Sequence, residues 1–277
     1  MNKSIEMILL ETLSFILKLL LITLFIFPFL WMLSVSLQTQ RETMTFPVTF
    51  IPQKLQFINY VVTWNSRPFL MYLKNSIIVV FSTLIIQLVV MIPAAYVFAK
   101  YEFRGKNIFF GFVIIAFMTP SQITFLSVYR MMAGWKLLGT LLPQILPFMT
   151  NAFGIFLLRQ YFKQIPNELL EAAKLDNANE LQTLLRIILP MSKAALSTVI
   201  LFNFISRWND YFWPLVMTNR EAVRPLTIVV KSLRDTEGLT NWNIVMAGNM
   251  MLVAPILLIY VFASRNIIKA FTYSGIK

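Results

Sequence analysis

Six long apolar runs limit what this chain can fold into. Each is about as long as the roughly 20 apolar residues that one helix needs to cross a bilayer, and they lie at residues 13–37, 74–99, 108–130, 139–162, 191–216 and 243–265. Of the 277 residues, 58% are hydrophobic and only 13% are charged, which is far from the balance of a soluble domain. The sequence therefore predicts an all-α membrane protein, in which six transmembrane helices form a single transmembrane domain over residues 1–277.

Several side chains that carry common chemistry are missing from the sequence. There is no Cys and no His, so disulfides, thiolate or imidazole metal ligands and the usual Cys/His or Ser/His nucleophiles are excluded. The net charge of +12 comes from basic residues scattered singly near the ends of apolar runs, a pattern typical of membrane topology signals and lipid headgroup contacts. We expect membrane lipid as a partner, and neither nucleic acid, nor a bound metal, nor catalysis.

The basic residues also predict the orientation of the chain. Cytoplasmic loops are enriched in Lys and Arg, so the short links after the second and fourth helices, both termini and the tail ending at Lys277 are predicted to face the cytoplasm. The longer loops 38–69 and 217–242 would then lie outside, although they too carry basic residues. The links contain Lys100, Arg104, Lys106, Arg159, Lys163, Lys174, Arg186 and Lys193.

Proline residues interrupt most of the predicted spans. Each proline removes one backbone hydrogen bond and bends or breaks a helix. Kinked helices suit a protein that lines a cavity, although proline is also simply commoner in membrane helices. The residues concerned are Pro93, Pro120, Pro143, Pro147, Pro214 and Pro255.

One polar segment, residues 163–190, stands out from the apolar sequence around it. After Pro166, the acidic Glu168 and Glu171 favour a short helix over residues 167–175, because carboxylates stabilise the N-terminal end of a helix. Asp176 and Asn177 then predict a turn, and a second helical run over residues 180–188 is expected to stop at Pro190. The segment is therefore a helix–turn–helix elbow.

The elbow permits two interpretations. It could be an ordinary polar connector in the lipid headgroup region. Alternatively, it could dock on a partner, because Ala172 and Ala173 allow close approach while Glu171 and Asp176 offer charged contacts.

Polar and aromatic residues gather near the end of the fifth predicted helix. Sugar recognition uses hydrogen-bonding groups together with aromatic faces, and such residues occur here as Asn203, Trp208, Asn209, Asp210 and Tyr211. The aromatic members could equally form a belt at the membrane interface. Further amides on other spans could line a pathway or hold helices together; these are Gln87, Gln144, Asn151 and Asn249.

The spacing within the elbow resembles the EAA loop of bacterial ABC importer permeases. That pattern is Glu-Ala-Ala, three residues, a Gly, nine residues and then Ile-x-Leu-Pro. Here Glu171, Ala172 and Ala173 are followed at the same spacing by Asn177 and by Ile187, Leu189 and Pro190. Asn177 stands at the family's Gly position, and Asn tolerates positive φ best after Gly.

Four further blocks resemble, in order, segments of the carbohydrate-uptake permeases, and specifically the second permease partner of the maltose-type and multiple-sugar systems. They are LKNSIIVV, PAAYVFAKYEFRGKN, TPSQITFLSVYRMM followed by LLGTLLPQILP, and WNDYFWPLVM. The resemblance implies the type I ABC importer permease fold, with residues 163–190 as a cytoplasmic coupling loop. It also implies a multi-pass protein of the bacterial inner membrane.

The resemblance further implies that the transporter is assembled from several different proteins. A second, different permease would complete the pathway, two copies of a cytoplasmic ATPase would bind ATP and Mg, and an extracellular sugar-binding protein would deliver the substrate. This chain has no G-x-x-x-x-G-K-[ST] motif and no cofactor of its own. The implied ATPase-coupling residues are Glu171, Ala172, Ala173, Asp176, Asn177, Ala178, Leu189 and Pro190. The implied cargo is an oligosaccharide, with a raffinose-type α-galactoside as the narrower expectation.

Two other classes of protein compete with this interpretation. An ion-coupled secondary transporter or channel subunit would place ionisable residues deep inside its spans, and here Arg207 and Asp210 come close, at one helix end. A membrane-embedded enzyme would need an acid–base pair, and no carboxylate pair lies at a useful spacing within the predicted spans.

Overall fold

The structure, a computed structural model, describes residues 3–234 and 240–272, and these residues form helices joined by turns and loops. The first half of the helices are α1 (Lys3–Ser36), α2 (Gln40–Thr43), α3 (Ile58–Ser66), α4 (Phe69–Lys100), α5 (Lys106–Met118), α6 (Ser121–Gly134) and α7 (Leu142–Ile145). There follow α8 (Ala152–Gln164), α9 (Glu168–Leu175), α10 (Glu180–Thr183), α11 (Leu189–Met191), α12 (Lys193–Trp208), α13 (Phe212–Met217), α14 (Leu226–Ser232) and α15 (Trp242–Thr272). Short 3₁₀ turns occupy Leu146–Phe148 and Glu221–Val223, and a π-helical turn occupies Leu184–Ile188.

Among the described residues, three helices are long and apolar enough to cross a membrane unbroken. They are Leu10–Ser36 of α1, the whole of α4 over Phe69–Lys100, and Trp242–Val261 of α15. Two bent pairs meet the same test together: α5 with α6, bent by 95°, and Glu180–Met191 with α12, bent by 83°. The all-α membrane fold is thus confirmed, and the six predicted spans are approximately supported.

The third predicted span, residues 108–130, is broken in its middle. Helix α5 ends at Met118, Thr119 is extended, and Pro120 precedes the first residue of α6. Proline lacks an N–H group and disfavours helical backbone at the residue before it, which favours a break at this point. By contrast, Pro93 and Pro255 lie inside continuous helices.

The fourth predicted span, residues 139–162, contains several short pieces. Helix α7 and the adjoining 3₁₀ turn contain Pro143 and Pro147, and an extended residue, Asn151, precedes α8. Helix α8 has 13 residues, which at about 1.5 Å per residue is shorter than a bilayer core.

The chain divides into two compact units, which are described separately. The first comprises the N-terminal part to Phe69 together with Val229–Ala254, and the second comprises Leu70–Ile228 together with the part from Pro255 onward. The prediction of a single domain over residues 1–277 stays a prediction.

A buried amide ties together three parts of the first unit. Asn59 on α3 donates from Nδ2 to the carbonyl oxygens of Ser36 (2.9 Å) and Gln38 (2.8 Å). Its Oδ1 accepts a hydrogen bond of 3.0 Å from Nδ2 of Asn243 on α15. The end of α1, helix α3 and the start of α15 are therefore fastened at one buried point.

The core of the second unit lies where α4, α8 and α12 meet. Met91, Leu158 and Val199 are fully buried there, one from each helix. Gly154 of α8 lies so close to the other two helices that a Cβ atom in its place would be 2.6 Å from Met91 Sδ and 3.2 Å from Val199 Cγ1. Glycine therefore sets how closely these three helices pack.

Candidate functional site

The first leg of the elbow is helix α9. It spans Glu168–Leu175, with Glu168 and Glu171 in its first turn and Lys174 in its last. Both placements complement the helix dipole. The predicted helix over residues 167–175 is confirmed within one residue.

The turn of the elbow is built around Asn177, which has a φ of +57°. The N–H of Ala178 donates to the carbonyl oxygen of Ala173 at 2.9 Å, and the N–H of Asn177 donates to that of Lys174 at 3.0 Å. This pair of bonds is the Schellman arrangement, in which the residue after the helix end must be left-handed. The expectation that Asn177 can replace the family's Gly in this conformation is confirmed.

The second leg of the elbow runs from Glu180 to Met191. It begins with a capping box, in which Asn179 Oδ1 accepts from the N–H of Gln182 at 2.8 Å and Gln182 Oε1 accepts from the N–H of Asn179 at 2.9 Å. The second leg was predicted to stop at Pro190, but it continues as helix to Met191. The π-helical turn Leu184–Ile188 precedes this proline, and such widened turns accommodate interruptions of the usual bonding pattern.

The two faces of the elbow differ in exposure. Glu171, Ala172, Asp176, Asn177 and Pro190 are exposed, while Ala178 and Leu189 are half-buried and Ala173 is only 5% exposed. Ala173 therefore packs inward, so that of the two alanines expected to approach a partner only Ala172 faces outward. The apolar Leu175, which the sequence analysis did not single out, is 83% exposed beside it.

Both legs of the elbow are fastened to the C-terminal end of α4. Lys100 Nζ donates to the carbonyl oxygen of Ile165 and, at 2.9 Å, to Oδ1 of Asn167, just before the first leg. The Tyr96 hydroxyl donates to Oε2 of Glu180 at 3.0 Å, at the start of the second leg. Neither Tyr96 nor Lys100 was a predicted site residue, because only the folded chain brings them within reach of the elbow.

Two predicted pathway amides meet in the second unit. Asn151 Nδ2 donates to Oδ1 of Asn203 at 2.6 Å, which joins the start of α8 to α12. Asn203 is 5% exposed, and its Nδ2 has no hydrogen-bond partner among the described residues. A buried amide donor without a partner costs free energy unless another polar group reaches it.

The end of α12 forms a narrow cleft with its neighbours. Arg207 pairs with Asp210 at 3.2 Å, and its guanidinium carbon lies 3.7 Å from the ring centre of Phe148. Gln144 also lines the cleft; its Nε2 donates to the carbonyl oxygen of Val223 at 2.9 Å, and its buried Oε1 has no partner within the described part of the chain. The cleft is lined by Ser76, Val79, Val80, Gln144, Arg207, Trp208, Asp210, Trp213, Pro214, Pro225 and Thr227.

The remaining predicted pathway residues are not among those that line this cleft. Asn209 is exposed and Tyr211, two positions further on, is half-buried. Gln87 donates to the carbonyl oxygen of Phe148 at 2.8 Å. Asn249 belongs to the other unit and donates to the carbonyl oxygen of Val245 in its own helix at 3.0 Å, a bond within one helix and not between helices.

Comparison with known proteins shows the family to which the chain belongs. The family described as "Binding-protein-dependent transport system inner membrane component" matches residues 91–272, a range that includes the elbow and the cleft-lining part of α12. The chain therefore belongs to this family and is a multi-pass inner membrane component of an importer.

Individual permeases resemble the chain over most of its length. The "Arabinooligosaccharides transport system permease protein AraQ" of Bacillus subtilis (strain 168) is 27% identical over 257 residues, which are 92% of this chain and 91% of that protein. The "sn-glycerol-3-phosphate transport system permease protein UgpE" of Yersinia pestis is 30% identical over 230 residues, 80% of this chain and 82% of that protein. These relatives confirm the predicted resemblance to carbohydrate-uptake permeases and the prediction of a permease subunit that is not an enzyme.

Solved structures share the fold. A chain of a bacterial ABC transporter involved in the import of the acidic polysaccharide alginate superposes with a TM-score of 0.83 and 24% identity, covering 96% of this chain and 98% of that one. A bacterial alginate ABC transporter in complex with alginate pentasaccharide-bound periplasmic protein gives a TM-score of 0.63 and 17% identity, with 91% and 93% covered. The type I importer permease fold expected from the sequence is thereby confirmed.

Proposed function

We propose that this chain forms half of the pathway of an ATP-driven oligosaccharide importer. Relatives named for arabinooligosaccharides and for glycerol 3-phosphate support a sugar or sugar-related cargo. The ionised groups that line the cleft, Arg207 and Asp210, pair with each other. A raffinose-type α-galactoside remains the narrower candidate for the cargo.

The elbow is proposed to dock on a cytoplasmic ATPase that binds ATP and Mg. The observation that carries this proposal is the difference in exposure between the two sides of α9. Glu171, Ala172 and Leu175 are exposed, whereas Ala173 is buried against the rest of the chain. An exposed small residue between a carboxylate and a leucine suits a groove with a polar edge and an apolar floor.

The proposed assembly contains three further kinds of protein. A second, different permease completes the pathway, two ATPase copies lie on the cytoplasmic side, and an extracellular sugar-binding protein meets loops 38–69 and 217–242. In this arrangement the elbow and both termini are cytoplasmic; residue Lys277 lies outside the described residues. The binding-protein-dependent transport of the family, and the complex of the alginate transporter with its periplasmic protein, support a binding-protein partner.

Reconstitution tests the function directly. The chain, its partner permease and its ATPase would be placed in proteoliposomes, and uptake of labelled neutral oligosaccharides would be measured with the binding protein and ATP. We expect uptake that needs ATP and survives an uncoupler. Uptake that collapses with the uncoupler and continues without the ATPase would instead support the ion-coupled transporter.

A variant tests the docking of the elbow. Ala172→Trp places a bulky ring on the exposed face of α9 and should release or uncouple the ATPase while the chain stays in the membrane. Thr45→Trp, at an exposed site in the first long loop, is the matched control and should bind the ATPase normally. Normal transport by the Ala172→Trp protein would show that the elbow is only a connector.

A further inference from the structure

The elbow and the C-terminal end of α4 share a hydrophobic core. Ala95 and Tyr96 of α4 are buried in one cluster with Ile165, which precedes the first leg, and with Leu184 and Ile188 of the second leg. Buried side chains of this kind pack as densely as a crystal, so displacing one of them displaces its neighbours. The elbow therefore rests on α4 over a packed surface.

Two polar anchors lie on the border of this core, one for each leg. Lys100 binds the entrance of the first leg through the Ile165 carbonyl oxygen and Asn167 Oδ1. Tyr96 binds the second leg through the carboxylate of Glu180. Each bond involves a charged group, and such hydrogen bonds are roughly twice as strong as those between neutral groups.

Tyr101 reinforces the second anchor. Its ring meets the Tyr96 ring edge-on, with 5.6 Å between ring centres and 83° between ring planes. Burial, together with the nearby carboxylate of Glu180, raises the pKa of the Tyr101 hydroxyl. Two tyrosines at the end of α4 thus face the one carboxylate at the start of the second leg.

We propose that Tyr96 and Lys100 are positioning residues that clamp both legs of the elbow to α4, so that a push on the elbow displaces α4. This inference rests on the proposed docking of the elbow on an ATPase. With both legs held at the same helix end, the elbow cannot swing about either leg alone, and its movement is passed to a helix that spans the membrane.

The clamp can be tested in the reconstituted importer by removing single atoms or charges. Tyr96→Phe deletes one hydroxyl and keeps the ring in the core, and Lys100→Met keeps the length of the side chain without its charge. The readouts are sugar molecules imported per ATP hydrolysed and the amount of ATPase bound. A structural defect alone would lower assembly and activity together but would not change the ratio.

We expect both variants to bind the ATPase and hydrolyse ATP while the import ratio falls by roughly a factor of ten, the effect of losing one hydrogen bond to a charged group. Glu180→Gln alone, which keeps an acceptor oxygen for the Tyr96 hydroxyl, should retain most of the wild-type ratio. Tyr129→Phe, the same loss of a hydroxyl on α6, is the control and should leave the ratio unchanged.

An unchanged ratio in Tyr96→Phe, or ATPase release without a change in the ratio, overturns the clamp. Failure of the two proposals can be told apart by comparison with Ala172→Trp. If Ala172→Trp uncouples and Tyr96→Phe does not, the clamp alone is wrong. If neither variant uncouples, the docking of the elbow is wrong as well.

Discussion

The side-chain nitrogen of Asn151 donates a hydrogen bond of 2.6 Å to the side-chain oxygen of Asn203. Asn151 also caps α8, because its Oδ1 accepts from the N–H of Gly154 at 2.7 Å. Both the Nδ2 and the Oδ1 of Asn151 are therefore hydrogen-bonded. The Nδ2 of Asn203, by contrast, is buried and has no partner among the described residues. Of the two, Asn203 is the better candidate for contact with cargo.

Replacement of Asn203 separates its structural role from contact with sugar. Asn203→Leu leaves the Nδ2 group of Asn151 without its acceptor. This loss should lower the free energy of unfolding by about 1–3 kcal/mol. Adding Asn151→Ser keeps an oxygen for the cap, removes the stranded donor and should recover most of that stability, as thermal unfolding in detergent would show. Recovery of sugar uptake along with stability would argue against contact between Asn203 and the cargo.

Gly154 should not accept a side chain. Gly154→Ala puts a Cβ atom 2.6 Å from Met91 Sδ, and we expect a lower melting temperature even though Ala favours helix by about 1 kcal/mol over Gly. Gly111→Ala on α5 is the control, since nothing lies within 4 Å of its new Cβ atom, and it should not destabilise the chain. Met91→Ala should relieve the Gly154→Ala defect in part; equal melting temperatures for the two glycine variants would refute the close approach.

The left-handed turn makes a distinct prediction for Asn177. Asn177→Gly should preserve the elbow, because glycine adopts a φ of +57° without strain. Asn177→Val should cost about 1–2 kcal/mol, since a β-branched residue is strained there. ATPase co-purification checks the outcome, and equal ATPase binding by the Gly and Val variants would mean that the turn geometry does not matter for docking.

The loop after α1 should loosen in acid. Hydrogen bonds from the backbone N–H groups of Thr39 and Gln53 lower the pKa of Glu42 below its ordinary 4.5. Because the folded pKa is the lower one, the stabilisation is present above the ordinary value and is lost as the pH falls through the lowered pKa. Hydrogen exchange of the Gln53 amide, corrected for its intrinsic pH dependence, should therefore lose protection in that window. Unchanged protection would contradict the role of Glu42.

The elbow shows how much a sequence can predict when signals are local. The carboxylates that begin α9 and the Asn177 turn depend on residues a few positions apart, and both were predictable. The inward placement of Ala173 was not, because it depends on the orientation of α9 against distant helices. The same holds for Tyr96 and Glu180, which are 84 positions apart in sequence.

The spans illustrate a second limit. Hydrophobic length predicted the unbroken helices α1, α4 and α15, but it did not predict which prolines break a helix. Pro93 lies within α4, whereas Pro120 follows a 95° bend. Pro93 is followed by two alanines, whereas Pro120 stands between Thr119 and Ser121, so local sequence favours the break at Pro120, but hydrophobic length does not register it. The candidate cleft was likewise only partly predictable: Trp208 and Asp210 were found as neighbours in sequence, whereas their approach to Gln144 required the fold.

Site-specific crosslinking tests the central claim most directly. The chain contains no Cys, so Ala172→Cys provides one thiol on the exposed face of the elbow without background. In inverted membrane vesicles that contain the assembled importer, a short crosslinker with one thiol-reactive end and one photoreactive end is expected to join this position to the ATPase subunit, identified by mass spectrometry. Thr45→Cys should not reach that subunit. Efficient labelling of Ala172→Cys by a soluble thiol reagent, with no crosslink to the ATPase, would contradict the account.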